Sequence, residues 1–219
     1  MIADNEQIKK DIVDKLYWDG RVDAVDIKID IREGQVKIYG SVPNYTAKQA
    51  AWEDAWITPG VKDVNDQIVV KYPTNLPIPK DEEIRTNVIS VLSLNSSIDS
   101  EDIDVEVTDG KVVLEGMVDS YWQKIKAEDL VFDIIGVTHV LNKLSVVPNG
   151  NFLDKDIAED IVNIYDKSVQ VESEQISVKV EDGIVTLTGT VPNWSIKRTA
   201  VNLARFTPGV RDVVDYIRT

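Results

Sequence analysis

Apolar residues recur along the chain in two alternating rhythms. At the start, Ile8, Ile12 and Leu16 stand four residues apart, the spacing of one helix face. Ile27, Ile29 and Ile31 then alternate with polar residues, the period of a half-buried strand. Glu33-Gly34 breaks the alternation with a tight-turn signal, and Val36 and Ile38 resume it as a second strand. Asn44 is a good helix N-cap, and Gly60 reads as the left-handed residue closing the helix it begins. A last strand opens at Val64. The predicted order is α-β-β-α-β.

The same order is written three times. Gly34, Gly40 and Gly60 return 76 residues later as Gly110, Gly116 and Gly136, and 73 residues after that as Gly183, Gly189 and Gly209. The helical stripe becomes Ile84, Val88, Leu92 and then Ile157, Ile161, Tyr165; the first strand becomes Ile103, Val105, Val107 and then Ile176, Val178, Val180. Three tandem domains are therefore expected, over residues 1–72, 80–148 and 152–219. "YPTNLPIPK" (72–80), with three prolines, is a stiff linker, and "PNGN" (148–151) a shorter, more pliable one. The fold class is α+β: each domain has a three-stranded mixed sheet with two helices on one face. The crossover from second to third strand is expected to be right-handed.

Composition narrows the chemistry. With no cysteine and one histidine, disulfides, thiolate nucleophiles and cysteine zinc sites are excluded. The net charge of −14 lies mostly in the middle domain, which carries −8 against −3 in each neighbour. Such a field repels phosphate backbones, so no nucleic-acid partner is expected. No apolar run is long enough for a transmembrane segment. The N-terminal residues lack a signal-peptide pattern, so the expected location is cytoplasmic, or periplasmic where a leader has been removed.

Differences between the copies single out candidate contacts. Trp52 aligns with Glu128 and Val201, and Trp56 with Phe132 and Arg205; the two indoles read either as partly exposed contact groups or as packing residues in the core or between domains. Trp122 aligns with Thr46 and Ser195 and makes a similar case. Lys48, Lys124 and Lys197 share one position, suited to a phosphate contact or to lying along an apolar surface. Tyr45, Tyr121 and Trp194 share another and read as packing anchors at the start of the second helix. Gly40, Gly116 and Gly189 mark a bulge or a close backbone approach. His139, aligned with Asp63 and Asp212, is expected on the surface. The acidic run 99–110 fails calcium-loop spacing, because Val105 and Val107 occupy ligand positions. No catalytic residue, metal site or cofactor is expected.

The order of elements resembles the BON domain (bacterial OsmY and nodulation). The resemblance rests on the first-helix stripe, the hairpin tipped by Asp/Glu-Gly, and the "V-x-L/I-x-G-x-V" strand. The Ala/Lys-bearing second helix and the terminal "G-V-x-x-V" complete it, in all three copies. It implies a non-enzymatic, OsmY-like stress-associated binding module that contacts phospholipid or cell-envelope components, envelope proteins included. Gly40, Gly116 and Gly189 are the positions of the family's signature glycine. Two alternatives stand beside it: a soluble protein responsive to potassium or divalent cations collected by the acidic middle domain, and a purely structural protein-interaction tandem.

Overall fold

A computed structural model describes residues 5–169, 171 and 175–219. These fall into two compact units. One runs through Leu94 and takes in Val105–Leu114 and Glu128–Leu141; the other comprises Asn95–Asp104, Glu115–Ala127 and Asn142–Thr219. The division passes through the middle repeat.

The first repeat contains α1 (Asn5–Trp18), β1 (Lys28–Arg32), β2 (Gln35–Val42), α2 (Tyr45–Trp56) and β3 (Asp63–Val70). The second contains α3 (Asp81–Ser93), β4 (Ile103–Thr108), β5 (Lys111–Val118), α4 (Tyr121–Phe132), β6 (His139–Asn142) and β7 (Ser145–Val146). The third contains α5 (Asp154–Lys167), β8 (Ile176–Glu181), β9 (Ile184–Thr190), α6 (Trp194–Arg205) and β10 (Asp212–Arg218). The predicted element order holds in every copy, with the middle copy's last strand interrupted between Asn142 and Ser145.

The second strand of each repeat is central. β1 pairs with β2 antiparallel and β3 with β2 in parallel; β8, β9 and β10 repeat the arrangement. The middle sheet runs β4-β5-β6, with β7 also on β5. Parallel neighbours need a crossover, which the second helix of each copy supplies. Strand alternation buries one face: Ile29, Val36, Ile38, Val64 and Ile68 point inward while Lys28, Asp30 and Lys37 stay exposed. Ile8, Ile12 and Leu16 of α1 join that core, as do Ala47, Ala50, Ala51 and Ala55 of α2. Alanine along the buried side lets α2 lie close to the sheet. In the third repeat Tyr165 takes the place of Leu16; its fully buried phenol donates to the Ala200 carbonyl at 2.9 Å, tying α5 to α6.

Each hairpin turns through two consecutive residues of positive φ, Glu33-Gly34 (54°, 82°), Asp109-Gly110 (51°, 69°) and Asp182-Gly183 (51°, 74°). That is the turn whose twist matches paired strands. The first helix holds the tip in two copies. Asp81 accepts hydrogen bonds from the amides of Asp109 and Gly110 at 2.8 and 3.0 Å, and Asp154 from those of Asp182 and Gly183 at 2.8 and 2.9 Å.

The second helices begin as expected. Asn44 accepts from the Ala47 amide at 2.7 Å, Ser120 from Gln123 at 3.2 Å and Asn193 from Ile196 at 3.0 Å. Their ends differ from the expectation that Gly60, Gly136 and Gly209 cap them. The helices stop at Trp56, Phe132 and Arg205, and each glycine sits at the third position of a separate turn. In that turn the Val61, Val137 and Val210 amides donate to Thr58, Ile134 and Thr207, each at 3.2 Å. In the first and third repeats Pro59 and Pro208 preset that turn, since a proline disfavours helix at its predecessor; in the second, Ile135 stands in the same place and the turn forms without one.

The strand-two glycine meets the tightest constraint. Gly40, Gly116 and Gly189 have φ of 131°, 125° and 144°, and a Cβ on any of them would lie 2.0 Å from the carbonyl oxygen of Asp26, Asp102 or Gln175. Gly40→Ala should destabilise the first repeat by about 3 kcal/mol or more, since both backbone partners would have to move. Urea denaturation followed by tryptophan emission checks this; a change within about 0.5 kcal/mol would mean the approach is readily relaxed.

Candidate functional site

In this acidic chain the aromatic side chains are the candidate contact groups. Trp52 and Trp56 lie one turn apart on α2, where residues at i and i+4 share a face. Their rings meet edge-to-face at 5.9 Å and 71°, and both are half-buried. The Trp56 indole N–H is buried with no hydrogen-bond partner. Trp122, beside the cap of α4, is 47% exposed. Trp52 and Trp56 belong to the first compact unit and Trp122 to the second.

The most exposed indole is one that sequence comparison passed over. Trp18 ends α1 at 81% exposure and touches Tyr17, itself 75% exposed, edge-to-face at 5.3 Å. Val13, one turn before Tyr17, is also exposed, so the helix end carries a solvent-facing apolar strip. The signal was available, because Trp18 aligns with Leu94 and Lys167, and a lysine at the sibling position points to solvent.

The shared lysines are turned inward in two copies. Lys48 donates to the Ile68 carbonyl at 2.7 Å and pairs with Asp66 at 3.2 Å; Lys197 donates to Ile217 at 2.5 Å and pairs with Asp215 at 3.0 Å. Each lysine therefore ties the second helix to the last strand. In the middle copy Asn142 stands where the acid would be, and its amide donates to the Lys124 carbonyl at 2.8 Å. Lys197 also lies over the Trp194 ring at 4.9 Å.

The aromatic at the start of each second helix reaches beyond its own repeat. In the first unit Tyr45, 4% exposed, packs 5.0 Å from Phe132 at the end of α4. Thr46 donates to the Asp133 carboxylate at 2.7 Å, and the Tyr72 hydroxyl to the Val137 carbonyl at 2.9 Å. Burial pushes the Tyr45 phenol up to about 12. His139 meets Tyr45 edge-on at 6.4 Å; partial burial, then the nearby Lys48 and Lys111 charges, lower its pKa. In the second unit Tyr121 packs against Phe206 at 5.6 Å, and Arg205 lies 5.3 Å from the Tyr121 ring centre.

One buried acid has no counterpart in the other copies. Asp54 of α2 is 8% exposed, and one carboxylate oxygen lacks a partner. Burial, then the Asp19 charge, raises its pKa. Asp19 is lowered instead, chiefly by its hydrogen bonds with Arg21, whose guanidinium also reaches Glu53 at 3.4 Å. Among the described residues no group of three or more His, Cys, Asp or Glu side chains could hold a metal ion, and no helix is long and apolar enough to cross a membrane.

The fold and the repeated signature agree with the family comparison. The sequence model of the BON domain matches residues 4–72, 80–148 and 153–219, and the chain belongs to that family. It is similar to osmotically-inducible protein Y of Escherichia coli (strain K12), 29% identical over 145 residues, 64% of this chain and 72% of that one. It is also 26% identical over 121 residues to an uncharacterized protein in the gshII 5′ region of Anaplasma centrale, covering 53% of this chain and 80% of that one. Among solved structures it is similar to the C-terminal domain of CdsD, the structural protein of the type III secretion system of Chlamydia trachomatis. That match has a TM-score of 0.27 at 18% identity, over 98% of both chains.

Asp54→Leu, the residue of both sibling copies, should stabilise the first repeat by about 1–3 kcal/mol at neutral pH. A raised folded-state pKa means the ionised carboxylate costs stability, so the gain should shrink as pH falls toward the ordinary carboxylate range. Denaturation midpoints at neutral and acid pH test both; a loss of stability at neutral pH would mean Asp54 is satisfied.

Proposed function

We propose that this chain is a non-enzymatic, osmotic-stress-associated binding protein that contacts phospholipid in the cell envelope through exposed aromatic side chains. The observation that carries the reading is the Tyr17–Trp18 pair, two large rings in edge contact and more than 70% exposed at a helix end. Tyrosine and tryptophan combine an apolar body with a polar tip, which suits the boundary between headgroups and acyl chains. Trp122 offers a second contact of the same kind. Trp52 and Trp56, half-buried against one another, offer less free surface. Lys48 and Lys197 spend their charge on internal acids, which leaves apolar insertion as the main source of affinity. With a net charge of −14, electrostatics oppose approach to an anionic bilayer, so added salt should leave binding unchanged or strengthen it. The association with osmotic stress is supported by the similarity to osmotically-inducible protein Y.

Tryptophan emission during titration with neutral and anionic liposomes, at low and high salt, tests the reading. The expected result is a blue shift that survives high salt. A Tyr17→Ala/Trp18→Ala variant should partition at least about tenfold more weakly, and adding Trp122→Ala should weaken it further. No shift with any liposome, or undiminished binding by the triple variant, would overturn the proposal.

A further inference from the structure

The contacts made by Tyr45 and by Tyr121 join equivalent regions of successive repeats, although the ring meets Phe132 in the first case and Phe206, one position further along, in the second. Tyr45 and Tyr121 occupy equivalent positions at the start of the second helix, and each packs on the end of the second helix in the following repeat. Phe132, which receives Tyr45, aligns with Arg205, which lies over Tyr121; Asp133, which receives Thr46, aligns with Phe206. A donor surface at the helix start thus meets an acceptor surface at the helix end twice in succession, once in each compact unit.

Such a contact joins two different surfaces, so it is heterologous and uses up one donor and one acceptor per junction. Three repeats form two junctions. In the 219-residue chain this leaves one donor, built on Trp194 and Ser195 of α6, and one acceptor, built on Trp56 and Ile57 at the end of α2. Both present free surface: Ile57 is 50% exposed and Ser195 is exposed, with Trp194 half-buried beside it. The acceptor residues in the series are Trp56-Ile57, Phe132-Asp133 and Arg205-Phe206, each including at least one large apolar or aromatic side chain. The terminal repeats also carry only −3 each, against −8 in the middle, so the two surplus surfaces belong to the least mutually repulsive parts of the chain.

We propose that the chain self-associates head-to-tail, the Trp194 surface of one copy seating on the Trp56–Ile57 surface of the next, by the contact that already joins consecutive repeats. Because net charge opposes the encounter, association strengthens with salt. This is independent of lipid binding and is tested without lipid.

Sedimentation velocity over a concentration series at low and high salt reads the result, with two variants that each block one surface. Ile57→Asp charges a half-exposed residue just past α2, and Trp194→Asp places an acid in the first turn of α6, where the helix dipole tolerates it. Circular dichroism and thermal melts establish that both remain folded. The wild type should gain mass above its 24.5 kDa monomer as concentration rises. Each variant alone should associate at least about tenfold more weakly. Mixed, they should form a single heterodimer and nothing larger, since one intact donor and one intact acceptor remain between them. A wild type that stays monomeric throughout would overturn the proposal. So would folded variants that each self-associate like the wild type, or variants that fail to pair when mixed.

Discussion

The approach of the strand-two glycine to the backbone before strand one is the constraint on which each repeat depends. At Gly40, Gly116 and Gly189 two stretches of main chain come so near that a single carbon atom has no room. With that approach in place, the second strand sits at the centre of its sheet, antiparallel to one neighbour and parallel to the other. The parallel partner then demands a crossover, and the small residues of the second helix let that crossover lie flat on the strands. What is repeated most strictly in this sequence is therefore what has least space.

Around that fixed frame the polar contacts vary in kind but not in place. A carboxylate at the first helix takes both amides of the hairpin tip in the second and third repeats. A lysine on the second helix bridges to the last strand in the first and third repeats, and in the second an asparagine amide makes a link between the same two elements. Each joins parts of one repeat distant in sequence. By comparison, the Asp19–Arg21–Glu53 cluster above buried Asp54 belongs to the first repeat alone, and there an acid replaces the leucine found in its siblings.

Most of the fold was legible because periodicity acts through burial. Ile8, Ile12 and Leu16 announce a helix face, and Val36 and Ile38 a strand face, from spacing alone. The helix ends were less legible, because each glycine belongs to a separate turn after the helix, with Pro59 and Pro208 at its second position in the first and third copies and Ile135 in the middle one. The candidate contacts were less legible, since exposure in three dimensions leaves only a faint trace in one sequence. Comparing copies singled out Trp122, yet passed over Trp18, although its alignment with Lys167 carried the same message. Tyr45 and Tyr121 were readable as packing residues but not as packing between repeats, because one position cannot say which neighbour it meets.

The aromatic residues also give the repeats separate optical identities. Two indoles 5.9 Å apart on α2 are near enough for their electronic transitions to couple, so the first repeat should contribute a paired ellipticity band of its own. The third repeat instead carries Tyr165, a phenol sealed from solvent whose hydroxyl is committed to a carbonyl. Its ultraviolet absorption would change on exposure to water, and its proton is held well into the alkaline range. Native chromophores thus distinguish the two ends of the chain, and the order in which its repeats open can be followed without any label.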